Sequence, residues 1–261
     1  MVPSGLCRVI GKSGVMIIES DRILITGGGG RLGSEIRNSL PGINAPDLRN
    51  LDITRKGDVE KAFDEYRPQL VIHAAAYTNV SRAEIDKQDC WDVNVGGTRN
   101  IVREAMNRDI FLVHISTDYV FYGDTGMYKE DDPVGPVRNY YSLSKLAAEE
   151  IAQLVERHLV IRTSFRPRAW PYSTAFTDLY TSQDYVDVIA PEIMLAISRF
   201  EDIPYKIIHI ATERKSIYEL AVRRKPDVLP ASRCDVEVEL PVDISLDITR
   251  WKKLKEEWGT L

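Results

Sequence analysis

Between residues 22 and 40 an apolar run, a glycine cluster and a helix-like segment follow one another, and this succession limits the fold more than any other stretch. Arg22-Ile23-Leu24-Ile25 has the composition of a buried parallel strand. Thr26-Gly27-Gly28-Gly29-Gly30-Arg31-Leu32-Gly33 then gives the spacing T-G-x-x-G-x-x-G. Ser34–Leu40 continues with helical spacing until Pro41-Gly42 stops it. In that setting glycines allow a tight turn, and the backbone can approach a pyrophosphate seated on the helix N-terminus. Gly27, Gly30 and Gly33, with Arg31 and Leu32 between them, are therefore candidate dinucleotide-binding residues.

Apolar runs and helical stretches alternate through the first two thirds of the 261 residues, which predicts an α/β fold. The class is a Rossmann-type doubly wound parallel sheet with a small, shortened C-terminal substrate lobe. Strands are expected at Arg22–Thr26, Ile43–Ala45, Leu51–Ile53, Leu70–His73, Phe111–Ile115 and Leu159–Arg162. Helices are expected near Gly33–Leu40, Lys56–Tyr66, Thr98–Asn107 and Leu143–Glu156, then Val186–Ile197, Ser216–Arg224 and Thr249–Trp258, with a late strand at Lys206–Ala211. Three parts follow: an extension over 1–20, a dinucleotide-binding unit over 21–165, and a lobe over 166–261 with elements returning to the sheet. In the extension, residues 7–10 and 15–18 form a small hairpin, or Met16 is the true start and the earlier residues a leader.

Ligands of such sheets bind beyond the carboxyl ends of the strands. Asp47, Asp52-Ile53, Ala74-Ala75-Ala76, Ser116-Thr117-Asp118 and Thr163-Ser164 all fall at that rim. Tyr141 and Lys145 stand four residues apart in a helical stretch, which places phenol and ammonium on one face. A phenol is a weak acid, with a pKa of about 10. A neighbouring cation is expected to pull that value down, as a catalytic proton donor requires.

Composition excludes several classes. A net charge of -5 leaves no footprint for nucleic acid. No apolar stretch approaches the roughly 20 residues that cross a bilayer. Cys7, Cys90 and Cys234 have no metal spacing and read as reduced cytoplasmic thiols. His73, His114 and His209 lie in apolar runs and His158 ends a helix, the pattern of core histidines, so no metal is expected.

Ser116-Thr117-Asp118-Tyr119-Val120-Phe121 and Asn139-x-Tyr141-x-x-Ser144-Lys145, added to the glycine turn, resemble the extended short-chain dehydrogenase/reductases. Within them the chain is most similar to the dTDP-4-dehydrorhamnose reductase family. Further matches are Arg67-Pro68-x-Leu70 through Val80, Val93-Asn94, Arg162-Thr163-Ser164 and Ser245-Leu246-Asp247. The resemblance implies an oxidoreductase that uses NADP(H) or NAD(H) to reduce the 4-keto group of a nucleotide-linked 6-deoxy sugar. It implies Tyr141 as proton donor, Lys145 on the nicotinamide ribose, and Thr117 on the carbonyl oxygen, with Ser116 as the other hydroxyl in reach. Asp118 and Tyr119 would lie near the substrate. Asp52 and Ile53 would face the adenine, with Ala74, Ala75, Ala76 and Asn94 along the dinucleotide. Asp47 suits the ribose hydroxyls of NADH, whereas Arg31 and Arg49 suit the phosphate of NADPH; family members use either, and the resemblance tips the reading to NADPH against Asp47. Partners would be the nucleotide sugar and a second copy of the chain, with neither nucleic acid nor membrane.

The chain also departs from that pattern. Asp178-Leu179-Tyr180-Thr181-Ser182-Gln183 lacks the usual proline, and the stretch between Ser164 and Ala175 is short. Ser81-Arg82 replaces an acidic-basic pair, and an arginine is missing near Leu240-Pro241. Arg166, Arg168 and Trp170 could grip a diphosphate and stack on its base, or form a solvated loop. Two further readings stay open: an epimerase or dehydratase, and a regulatory subunit that binds dinucleotide without catalysis.

Overall fold

The computed structural model describes residues 6–11, 14–236 and 239–260. Strands β1 (Leu6–Gly11) and β2 (Gly14–Glu19) pair antiparallel, from Leu6 opposite Glu19 to Gly11 opposite Gly14. The centre is a parallel sheet of β3 (Ile23–Thr26), β4 (Leu70–His73), β5 (Phe111–Thr117), β6 (His158–Thr163) and β7 (Ile207–His209), in the order β7-β6-β5-β4-β3. These strands are buried on both faces, which is why they read as unbroken apolar runs.

Helices cover both sides. On one, α1 (Arg31–Ser39), α5 (Val186–Ser198) and α6 (Thr249–Glu257) bring Ile36, Ile189, Ile193, Trp251 and Leu254 against Ile23, Ile25, Ile72 and Ile161. On the other, α2 (Lys56–Tyr66) and α3 (Thr98–Asn107) bring Val59, Phe63, Ile101 and Ala105 against Leu24, Val71 and Leu112. A further helix, α4 (Tyr140–Ala152), packs along β5 on the second side.

Two expected strands do not form. Residues 43–45 make one parallel bridge, Asn44 to Leu24, with Ile25 N–H donating to the Asn44 carbonyl at 2.8 Å. Gly42 at φ 91° and Pro46 hem that segment in, leaving no room to extend. Leu51–Ile53 does not pair at all. Its apolar side chains join the α2–α3 core, while the Asn100 amide donates to the Ile53 carbonyl at 2.9 Å. The apolar pattern there reflects burial without pairing.

Helix α4 starts at Tyr140, three residues before the expected Leu143, because the Asn139 side chain caps it by accepting Ser142 N–H at 2.8 Å. Tyr141 thus belongs to the first turn.

Candidate active site

The turn after β3 needs its glycines. Gly27 has φ +73°, and a Cβ there would lie 2.7 Å from the backbone of Ala75. At Gly33 a Cβ would fall 2.2 Å from the Gly27 carbonyl oxygen. Gly29 has no atom within 4 Å of its Cβ position, so the turn opens outward at that point. Gly30 caps α1 without any side-chain bond. The helix therefore presents its N-terminal amides and the positive end of its dipole at an uncluttered backbone, a fit for a diphosphate. Arg31 is exposed beside it, whereas Leu32 is buried in the core.

Asp47 is exposed, and its Oδ1 accepts from Arg49 N–H, Asn50 N–H and the Asn50 amide at 3.0–3.1 Å. Asp52 Oδ1 accepts from Thr54 N–H and the Thr54 hydroxyl, at 3.0 and 2.7 Å. Each aspartate holds its own turn. Ala74–Ala76 run half-buried beside the glycine turn, with Ala74 N–H donating to the Thr26 carbonyl at 3.3 Å. Asn94 is buried, and its side chain serves the protein: Oδ1 accepts Tyr77 N–H at 2.8 Å and Nδ2 donates to Ser144 Oγ at 2.8 Å.

Helix α4 buries an unusual stripe. Tyr141, Ser144, Lys145, Ala148, Glu149 and Ala152 all face inward, and most of them are polar. Such a stripe is tolerable only if its groups are bonded. Lys145 Nζ donates to the Ile115 carbonyl at 2.9 Å. The Glu149 carboxylate takes the Ser116 hydroxyl at 2.5 Å and the Arg162 guanidinium at 2.6 Å, with both charged residues almost fully buried. Ser144 Oγ donates to the Tyr141 carbonyl at 2.7 Å.

Thr117, at the end of β5, accepts Tyr119 N–H at 3.2 Å and donates to Asp118 Oδ1 at 3.0 Å. Its hydroxyl also acts on the Tyr141 phenol, drawing the phenol's pKa down. The Tyr119 and Tyr141 rings meet edge to face at 6.0 Å. The structure therefore gathers Thr117, Asp118, Tyr119 and Tyr141 into one cluster, whereas the Ser116 hydroxyl is taken by Glu149.

The electrostatics correct one expectation. Burial raises the Tyr141 phenol above its ordinary range, and the charges of Asp118 and Tyr119 raise it further against the pull of the Thr117 hydroxyl. Tyr141 is a phenol kept protonated, and the acidification expected from Lys145 is reversed. Burial lowers Lys145 to about 8 against the opposing pull of Glu149 and Cys90. Burial also raises Asp118 to about 6, opposed by hydrogen bonds from Thr117 and Ser164.

Trp170 does not stand ready to stack on a base. It is buried with Ala175, Leu179 and Ile217, and its Nε1 donates to the Thr174 carbonyl at 3.3 Å. Arg168 forms a bidentate pair with Glu35 of α1, at 2.8 and 2.7 Å. Only Arg166 of that trio keeps a buried Nε with no partner among the described residues. The sequence singled out Arg162 as part of a family motif, but not its buried pairing with Glu149. The signal was present, since a carboxylate one turn beyond Lys145 faces an arginine inside an apolar strand.

Among the described residues, no helix is long and apolar enough to cross a membrane. Residues 21–192 match the family model described as the RmlD substrate binding domain. A dTDP-4-dehydrorhamnose reductase of Aggregatibacter actinomycetemcomitans is 34% identical over 181 residues, covering 66% of this chain and 61% of that protein. The chain thus spans about three fifths of that relative's length. The solved dTDP-4-dehydrorhamnose reductase of Bacillus anthracis, in complex with NADP, is 26% identical with a TM-score of 0.78, covering 92% of this chain and 93% of that one. A hypothetical dTDP-4-dehydrorhamnose reductase of Sulfolobus tokodaii is 34% identical with a TM-score of 0.77, covering 89% and 94%.

Proposed function

Since the chain belongs to the RmlD substrate-binding-domain family, we propose that it reduces the 4-keto group of a nucleotide-linked 6-deoxy sugar at the expense of NADPH. The observation that carries this reading is the cluster in which Thr117 holds Tyr119 and Tyr119 meets the buried Tyr141, whose helix also holds Lys145, beside an open glycine turn.

Gly27, Gly30, Arg31 and Gly33 would hold the diphosphate of the dinucleotide, on backbone amides and the α1 dipole. Ala74–Ala76, small and half-buried, leave room for the rest of it along the carboxyl ends of β3 and β4. When bound, the nicotinamide supplies hydride to the keto carbon. Every other part of the reaction falls to the chain. Thr117 turns its hydroxyl from Asp118 to the carbonyl oxygen and stabilises the charge that develops there. Tyr141 gives its proton to that oxygen. A phenol held above its ordinary pKa suits this role, because it stays loaded at neutral pH and an alkoxide is basic enough to take the proton. Lys145, charged below about pH 8, supplies a fixed cation beneath the site.

Support for NADPH comes from the exposed Arg31 and from Asp47, whose Oδ1 is engaged in its own turn, together with the NADP held by the Bacillus anthracis protein. The test is dinucleotide oxidation with a panel of nucleotide-linked keto sugars. Turnover with a 4-keto-6-deoxy sugar is expected, with NADPH bound more tightly than NADH. Tight dinucleotide binding without turnover of any member would refute the reductase and favour a regulatory subunit.

A further inference from the structure

His73 closes β4 with its ring almost fully buried, and both ring nitrogens are bonded: Nδ1 to Thr26 Oγ1 at 2.7 Å and Nε2 to Thr98 Oγ1 at 2.9 Å. The neighbouring bonds settle which nitrogen carries the proton. Thr98 spends its only hydroxyl proton on the Asn94 carbonyl at 2.5 Å, so it must accept from His73. Nε2 is then the donor and Nδ1 the acceptor, which makes Thr26 Oγ1 the donor to the ring. Thr26 in turn accepts Ala75 N–H at 3.3 Å. Beyond Thr98, the Asn94 amide donates to Ser144 Oγ, and Ser144 donates to the Tyr141 carbonyl, at 2.8 and 2.7 Å.

A chain of hydrogen bonds with one covalent link, from the Asn94 main-chain carbonyl to its side-chain amide, therefore runs from the strand that feeds the glycine turn, through His73, to the backbone of Tyr141. It crosses the π-helical segment Asp92–Gly97, the kind of helix defect that recurs at functional sites. It also fixes both ends of Ala75–Tyr77, since Asn94 Oδ1 accepts Tyr77 N–H. Because every link uses a neutral group with one allowed direction, the chain sets distances without introducing charge. Burial, with the Lys145 charge, lowers His73 to about 3 and keeps the ring neutral throughout the working range.

We propose that His73 is a positioning residue for the reduction: its Nε2–H tautomer holds the glycine turn and Tyr141 at the separation that hydride and proton transfer to one carbonyl require. This rests on the reductase reading above. The two bonds can be removed separately. His73→Asn places an acceptor where Nδ1 stands, keeping the link to Thr26 and losing the link to Thr98. His73→Gln places a donor where Nε2 stands and does the reverse.

The expected result is a split. His73→Asn keeps NADPH affinity within about threefold while kcat falls about tenfold, and His73→Gln keeps kcat within about threefold while Kd for NADPH rises about tenfold. Proportional loss of both quantities in both variants, or the opposite split, would overturn the proposal. A merely structural histidine would give such a proportional loss. Ring 15N resonances of His73, assigned by their disappearance in His73→Gln, are expected to show Nε2 protonated and Nδ1 bare from pH 5 to 9; any other tautomer also overturns it. If the wild type turns over no keto sugar, the reductase reading fails, and the tautomer and the NADPH affinities still decide whether His73 orders the turn.

Discussion

Residues 21–165 and residues 166–260 are held together by different kinds of interaction. The first region uses strands of four to seven residues, all parallel and buried, and pairs its buried charge internally, as Glu149 does with Arg162 and Ser116. Apart from the helices and the strand that return to the central sheet, the second is built from short pairs, one of which reaches back to Phe165: Phe165–Arg166 with Asp184–Tyr185, Tyr180–Thr181 with Lys215–Ser216, and Thr174–Phe176 with Leu229–Ala231. Guanidinium groups near the surface tie those pieces down, through Arg168 to Glu35, Arg224 to Asp187, and Arg214 to Asp243. A proton donor must stand within tenths of an ångström of its target, which only the first construction guarantees. The second tolerates change, and the family match ends at residue 192 while the fold likeness covers about nine tenths of the chain.

That contrast can be broken by experiment, starting with the largest effect. Thr117→Val removes one hydroxyl from the first region, and turnover should fall about 10²-fold with NADPH affinity unchanged. Steady-state kinetics with a fluorescence titration would show it, and an equal loss in both would place Thr117 in mere support of the fold. Glu149→Gln leaves Arg162 buried without its counter-charge, so unfolding free energy should drop by about 3–5 kcal/mol in a denaturant titration. By contrast Arg168→Ala breaks a pair exposed on the arginine side, and should leave the melting temperature essentially unmoved. Equal losses at Glu149 and Arg168 would erase the distinction between the two regions.

Smaller effects follow from buried charge. Asp118 has its pKa raised by folding from about 4 to about 6, so the protonated form is favoured below about pH 4 and that contribution is lost as pH rises through 6. Asp118→Asn should therefore stabilise the protein at pH 7.5 by up to about 3 kcal/mol, with no gain below pH 4. Lys145, lowered to about 8, loses its charge as pH passes 8. Turnover should then decline through a single ionisation near pH 8, while this group's contribution to stability rises between about pH 8 and 10.4, where the unfolded chain binds more protons. A pH-rate profile flat to pH 10 would remove Lys145 from the account.

Much of this was legible in the chain itself. The glycine turn, the helical spacing of Tyr141 and Lys145, and the four long buried strands each carry a local pattern that neighbours reinforce. What stayed hidden was decided by contacts distant in sequence. Residues 51–53 look like a strand, but Asn100, 47 residues on, claims the Ile53 carbonyl. The Tyr141 phenol looked acidified because sequence spacing shows Lys145 and hides the burial, which acts more strongly. His73 read as a bonded core histidine; its partners, Thr26 and Thr98, lie 47 and 25 residues away. Arg168 fitted either a ligand contact or a solvated loop because nothing local reveals Glu35, 133 residues away, as its partner.

The most direct test is Tyr141→Phe, measured for NADPH affinity and for turnover of a 4-keto sugar in the same preparation. Loss of one buried hydroxyl should leave NADPH affinity within about twofold and lower kcat by about 10²–10⁴-fold, the range expected of a general acid. A variant that keeps wild-type turnover would contradict the assignment of the proton donor, and with it the role given to the whole buried stripe of α4.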